Sequence, residues 1–347
     1  MEKNNTTEAV VLKKHGAAQH AFSIENVAIQ ALQSEEVRID VEAFGLNYAD
    51  VMARNNLYRE APPLPSVLGY EVVGTICEIG SAVDPSFLGK RVVAFTRFGG
   101  YARKAKTFHY AVAEIGEMDA AAALALSTQF VTAYYMAEYL TPIHAGDRVL
   151  IHAAAGGVGT ALIQLAKLKS AIVFAKIGSD SKKELVKLLG ADEVINYSAS
   201  DYEYQLKKIL GSNRLDISFN PVAGSTLKKD MRLLGSGGRL ILFGGSERSG
   251  KKWGILSTLN FVRKMGLVIP IELMMRSKNI LGVNMLKIAD NKPEVLTTCL
   301  REVVKLTLEG KLIPQVGASF PADKIAEAHT LLESGKSTGK IAVYWEN

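Results

Sequence analysis

The stretch Arg148-Val149-Leu150-Ile151-His152-Ala153-Ala154-Ala155-Gly156-Gly157-Val158-Gly159 decides the fold. A short apolar run enters a turn of small residues, and a helix-patterned segment from Thr160 to Leu168 leaves it. A buried strand ending in such a turn lets backbone N–H groups approach a pyrophosphate, whose charge then rests on the positive end of the next helix. Against the pattern G-x-G-x-x-G the first glycine is replaced by Ala154, and glycine pairs by themselves also mark ordinary loops. Context favours a dinucleotide site, because Ala171-Ile172-Val173-Phe174-Ala175-Lys176-Ile177 supplies a second buried strand and completes a βαβ unit. Ala155, Gly156, Gly157, Val158 and Gly159 form the expected phosphate cradle.

Downstream, strand and helix patterns alternate for about a hundred residues. Ser181 to Gly190 reads as a helix with a glycine stop, Glu193 to Asn196 as a short strand, and Asp201 to Leu210 as a helix. Leu215 to Asn220 and Arg239 to Gly244 read as strands flanking a further helix and a turn at Gly235-Ser236-Gly237-Gly238. Such alternation predicts a doubly wound parallel sheet. Gly244 ends a strand at the expected cofactor edge, where a missing side chain lets the backbone come close to a ribose.

Upstream the text differs. Val37 to Glu42, Val72 to Cys77 and Arg91 to Phe95 are short alternating strands of a half-buried β domain, separated by turns at Ala61 to Pro65 and Phe98 to Gly100. Helical spacing follows at Ala120 to Leu126 and again at Thr132 to Leu140. Mixed patterns at the end of the chain suit a return to the first domain, giving expected boundaries of 1–122, 123–285 and 286–347. With 347 residues, two domains are the natural prior.

Apolar content of 48% and charged content of 22% describe an ordinary globular protein. Neither a secretory leader layout nor a bilayer-length apolar run is present, so a cytoplasmic location and no transmembrane segment are expected. The formal charge of +6 is scattered, without dense basic stretches or interleaved aromatics, which argues against nucleic acid and for small anions. Cys77 and Cys299, each within an apolar pattern, exclude a disulfide framework, and no Cys and His spacing suggests a metal. His152 reads as a packed core histidine.

Gly69-Tyr70-Glu71-Val72-Val73-Gly74 with Gly80, and Gly45-Leu46-Asn47-Tyr48-Ala49-Asp50, carry a resemblance along the whole chain. It resembles the medium-chain dehydrogenase/reductase superfamily in its zinc-free quinone oxidoreductase branch. Tyr70 stands where the G-H-E-x-x-G signature has its zinc-ligating histidine, and Asn47 where zinc-dependent relatives have a cysteine. The segment Leu256 to Ile280 exceeds the usual quinone reductase loop and is similar to the VAT-1 homologue subgroup. Its apolar content suits a pocket lid, a subunit contact or a lipid-facing surface.

The resemblance implies an α/β architecture, with a GroES-like β-rich catalytic domain and a Rossmann doubly wound parallel-sheet cofactor domain. It also implies that Asn47 and Tyr48 border the nicotinamide or substrate, that Thr132 touches the cofactor, and that Tyr197 lies by a 2′-phosphate. Asp50 is expected to be a structural partner behind the site, and Glu71 to stabilise local structure. From the residues themselves, Ser179 and Lys182 after the second strand suit a 2′-phosphate, so NADPH is the expected cofactor. The competing reading of Asp180-Ser181-Lys182-Lys183 is a plain helix start with solvated charges.

The expected chemistry is hydride transfer to a small hydrophobic electrophile, a quinone or an enone, in a dry apolar site. A homodimer is expected by family. The alternatives are a nucleotide-binding carrier or interaction protein with little or no turnover and, more weakly supported, an RNA-binding role.

Overall fold

The computed structural model describes residues 5–248 and 254–346, those of 254–258 by backbone alone. The chain divides into two units, one holding the chain up to Val131 together with the segment from Leu286 onward, the other Thr132–Met285.

The second unit carries the opening motif. Its strands are β1 (Arg148–Ile151), β2 (Ile172–Ile177), β3 (Glu193–Asn196), β4 (Leu215–Asn220), β5 (Leu234–Leu242) and β6 (Asn279–Gly282). They pair in the order β3-β2-β1-β4-β5-β6, and every pairing is parallel. The crossovers between successive strands run through α1 (Gly157–Leu168), α2 (Lys183–Leu188), α3 (Tyr202–Leu210) and α4 (Ser225–Leu233), while α5 (Gly254–Met265) and α6 (Pro270–Arg276) both precede β6. Helices on a sheet's faces bury both sides of each central strand, which is why β1 and β4 read as nearly unbroken apolar runs. Leu150, Phe174, Ile195, Leu206, Leu227 and Leu240 form the core of this unit. The order of strands reverses between β1 and β4, and open α/β sheets bind ligands at the carboxyl ends flanking such a reversal.

Gly235 to Gly238 is not the turn its glycines suggest. Those residues lie inside β5, where Leu215 pairs with Leu234 but Ile217 already pairs with Arg239. The surplus residues are taken up in a bulge, with Gly237 at φ +78° and its N–H donating to Ser277 O at 2.6 Å.

The first unit is built on a sheet that orders Val316–Pro321, Lys340–Tyr344, Glu36–Leu46, Glu71–Ile79, Arg91–Phe95 and Val112–Glu114, with Lys104–Phe108 pairing on Glu36–Leu46. Val37, Ile39, Phe44, Val72, Ile76, Ile341 and Val343 fill its core. Residues 340–344 run antiparallel to 36–46, with Ile341 opposite Leu46, so Lys340 reaches the end of that strand beside Asn47.

The two helices expected at 120–126 and 132–140 are one uninterrupted helical run from Ala120 to Leu140. Residues Leu126–Phe130 and Tyr135–Leu140 wind as π-helix, so a lapse in the α-helical spacing of the sequence marks a change of pitch and not a break. Cys77 lies on an exposed position of its strand and Cys299 is buried. His152 is 1% exposed. No helix among the described residues is long and apolar enough to cross a membrane.

Candidate functional site

At the carboxyl end of β1 the chain turns through Ala153, whose φ of +49° places the left-handed residue one position before the alanine that replaces the motif's first glycine. Ala154 N–H donates to Lys176 O at 3.1 Å, tying the turn to β2. Gly156 caps α1. A Cβ on Gly159 would lie 2.5 Å from Ala153 O and 2.7 Å from Ala154 Cα, so only glycine lets the first helical turn close on the loop. Ala155 is buried, while Gly156, Gly157 and Val158 are half-buried. The orphan N–H groups of the first turn of α1 give this end its affinity for anions.

Ser179, Lys182 and Tyr197 group at the ends of the neighbouring strands β2 and β3. Tyr197 is half-exposed and lies against Gly178, where a Cβ would come within 2.5 Å of its Oη. Ser179 Oγ accepts from Ser181 N–H at 3.3 Å and so caps the following helical turn. Asp180 is held by Asn196 Nδ2 at 2.9 Å. Burial lowers the Lys182 ammonium below its ordinary value. On the other side of the reversal, a Cβ on Gly244 would meet Pro221 O at 2.7 Å. Thr132 is a nearly buried position of the helical run.

In the first unit Asn47 caps the short helix Tyr48–Arg54. Asp50 reaches back with Oδ2 to the Asn47 N–H at 2.8 Å, and its Oδ1 accepts from Gly69 N–H at 3.2 Å. Asn47 and Asp50 form a capping box, and the Asn47 amide also faces the sheet. Its Nδ2 donates to Glu71 Oε1 at 2.8 Å, and its Oδ1 faces Lys340 Nζ at 3.5 Å. Lys340 is ion-paired with Glu71 and donates to Leu46 O at 3.2 Å. Gly45 makes room for the pair, since a Cβ there would sit 2.3 Å from Glu71 Oε1 and 2.4 Å from Lys340 Cε. Glu71, Lys340 and Asp50 are all fully buried. Burial pushes Lys340 down to about 7, opposed by the charge of Asp50. The same burial pushes Asp50 up to about 7 against its backbone hydrogen bonds and Lys340. Tyr70 is buried against Tyr58 and Phe98, and desolvation lifts its phenol well above the ordinary range.

Residues 33–133 match the alcohol dehydrogenase GroES-like domain family, and residues 189–343 match the zinc-binding dehydrogenase family. Human quinone oxidoreductase is 28% identical over 91% of this chain and 91% of its own length. The zebrafish (Danio rerio) synaptic vesicle membrane protein VAT-1 homolog is 29% identical over 99% of this chain and 71% of its own. The crystal structure of human VAT-1 homolog-like protein superposes with a TM-score of 0.85 at 26% identity, covering 99% of both chains. Escherichia coli quinone oxidoreductase, solved as a complex with NADPH, gives 0.81 at 25% identity over 97% of this chain and 99% of the other.

These likenesses are consistent with the medium-chain dehydrogenase/reductase superfamily. Among the described residues, no group of three or more His, Cys, Asp or Glu side chains converges as a metal set. Within the second unit the structure brings Ala155 to Gly159 to one sheet edge with Ser179, Lys182, Tyr197 and Gly244. Within the first it joins Asn47 and Tyr48 at one helix start. Lys340 was absent from the sequence-derived set. Its only sequence signal is a lysine opening the otherwise apolar run Ile341-Ala342-Val343.

Proposed function

We propose that this protein is an NADPH-dependent, zinc-independent oxidoreductase that transfers hydride to a quinone or an α,β-unsaturated carbonyl. The observation that carries the reading is the glycine turn at the reversal of a 3-2-1-4-5-6 parallel sheet, with Ser179, Lys182 and Tyr197 beside it. The match to an NADPH-bound quinone oxidoreductase supports the choice of cofactor.

The residues at the superfamily's zinc positions do not fit that metal. Glu71 Oε1 already takes an ammonium and an amide N–H, Asn47 offers a neutral amide, and the Tyr70 phenol holds its proton. NADPH supplies the hydride when bound. The α1 end and the 153–159 turn hold its pyrophosphate, while Ser179, Lys182 and Tyr197 hold its 2′-phosphate. Asn47 and Tyr48 serve as donors to the oxyanion that develops on the acceptor, with the Glu71 and Lys340 pair fixing the rotamer of Asn47. Thr132 contributes a cofactor contact, and Gly244 a close backbone approach.

Loss of NADPH absorbance with a panel of ortho-quinones and enones, in the presence of a chelator, tests the proposal. Turnover that survives chelation supports it. Turnover abolished by the chelator and restored by zinc refutes zinc independence, and failure to bind NADPH refutes the whole reading. A second reading, a nucleotide-binding carrier without turnover, is favoured by the likeness to VAT-1 homologs, and NADPH binding with no oxidation by any acceptor would select it. We also propose a homodimer, supported by β6 at the sheet edge and by exposed Leu259, Val262, Ile271, Met274 and Met275 nearby in sequence.

A further inference from the structure

Lys176 is a charged residue one position before the carboxyl end of the otherwise apolar strand β2, and only 5% of it is exposed. Its Nζ lies 3.1 Å from His152 Nδ1, 4.2 Å from the Tyr202 ring centroid and 4.7 Å from the Tyr197 ring centroid. Among the described residues no carboxylate pairs with it directly: it reaches Asp230 through the imidazole, whose Nε2 lies 3.1 Å from Asp230 Oδ1, and Asp230, Asp201 and Glu247 favour its charge only from farther off. That carboxylate is already saturated. Tyr202 Oη donates to it at 2.8 Å, Ser218 Oγ at 2.9 Å and Asn220 Nδ2 at 2.6 Å. Burial holds His152 below its ordinary value, so the ring is neutral, donating from Nε2 to Asp230 and accepting at Nδ1 from Lys176.

Among the described residues Lys176 is therefore a buried cation with two aromatic faces and one neutral acceptor in contact and no carboxylate paired to it, and the more distant Asp230, Asp201 and Glu247 do not offset its burial. Burying a charge in this way costs stability unless a counter-charge arrives. Burial lowers its ammonium to about 8, which reports the same deficit. The place where an anion would relieve it is the outer side of Tyr197, half-exposed beside Ser179 and Lys182.

We propose that Lys176 is a specificity-determining cation that favours the adenosine 2′-phosphate from beneath Tyr197, without touching it. The proposal rests on the NADPH reading above. The surface lysine, Lys182, supplies a screened contact, whereas Lys176 acts from a low-dielectric interior where screening is weak. Two cations of different depth then distinguish a phosphorylated from a plain ribose.

The test measures dissociation constants of NADPH, NADH, 2′,5′-ADP and 5′-ADP by calorimetry on the full chain, as wild type, K176M, K176R and K182A. K176M is expected to weaken NADPH and 2′,5′-ADP on the order of tenfold. NADH and 5′-ADP should stay within about twofold, and K176R should restore much of the preference. A melting curve confirms that K176M is folded, and if it is not, K176R against wild type at low and high salt carries the comparison. Equal loss for phosphorylated and plain ligands in K176M, or no loss in K176M while K182A loses selectively, overturns the role of Lys176 and leaves the NADPH reading standing. A wild type that binds NADPH no tighter than NADH overturns both.

Discussion

Replacing Lys340 with methionine removes the ammonium and keeps most of the volume. Glu71 is then a fully buried carboxylate whose remaining partner is the Asn47 amide, with Oε2 unbonded in the structure. Breaking a buried pair on one side costs about 3–5 kcal/mol, mostly as the penalty of the uncompensated charge. For a unit of this size each kcal/mol moves the midpoint by about 2–4 °C, so the K340M transition should fall by about 10 °C. Neutralising the survivor removes the penalty, and E71Q/K340M should recover more than half of the loss; with E71Q alone also costing about 3–5 kcal/mol, the coupling in the double-mutant cycle should be at least about 4 kcal/mol. Scanning calorimetry at fixed scan rate on wild type, both single variants and the double variant provides the four corners. If turnover is present, kcat in K340M should drop more than KM for NADPH rises, because Asn47 loses its fixed rotamer while the phosphate-holding residues are untouched. A K340M protein melting within about 2 °C of wild type, or a double variant no better than K340M, would refute the reasoning from burial.

Gly159→Ala puts a methyl 2.5 Å from Ala153 O, so the loop must shift: NADPH affinity should fall at least about tenfold and the melting temperature should fall as well, and fluorescence titration showing wild-type affinity would sink the phosphate-cradle assignment. His329 is fully buried, and burial, reinforced by Arg54, pushes its imidazole down to about 3. The folded form takes up a proton later than the unfolded chain, so this residue's contribution is intact above pH about 6.5 and is lost as pH falls toward about 3, with a ceiling of about 5 kcal/mol. Asp50, raised to about 7 by burial, has the opposite slope, so the readout is the difference between wild type and H329F in urea at pH about 7.5 and about 4.5. That difference should shift in favour of H329F at the lower pH, and a constant difference would count against a buried neutral histidine. Met274→Glu with Met275→Glu charges two exposed methionines of α6, and light scattering should show a shift from dimer to monomer if that face is the subunit contact.

What could be read from the chain and what could not follow from the same physics. Val149, Leu150 and Ile151 announced a central parallel strand because both faces of it are buried, and Gly159 announced the turn because a backbone contact there leaves no room for a side chain. These are local constraints. The glycines of 235–238 misled because a turn and a bulge ask for the same residue, and only the pairing partner, which skips from Leu215 to Ile217, distinguishes them. Lys340 was silent for a different reason, since its carboxylate partner lies 269 residues away and nothing in its neighbourhood says whether a lysine in a strand faces water or a counter-charge. Lys176 presents the same signature in the other unit, a single cation in an apolar strand ending beside the site. The two differ in what satisfies them, with Lys340 holding a carboxylate directly and Lys176 reaching one only through a neutral imidazole. A charge that is fully paired inside the fold has a structural task, here the orientation of Asn47. One left short of a partner has charge to offer a ligand, so the asymmetry between the two lysines assigns the first to holding the site and the second to recognising what enters it.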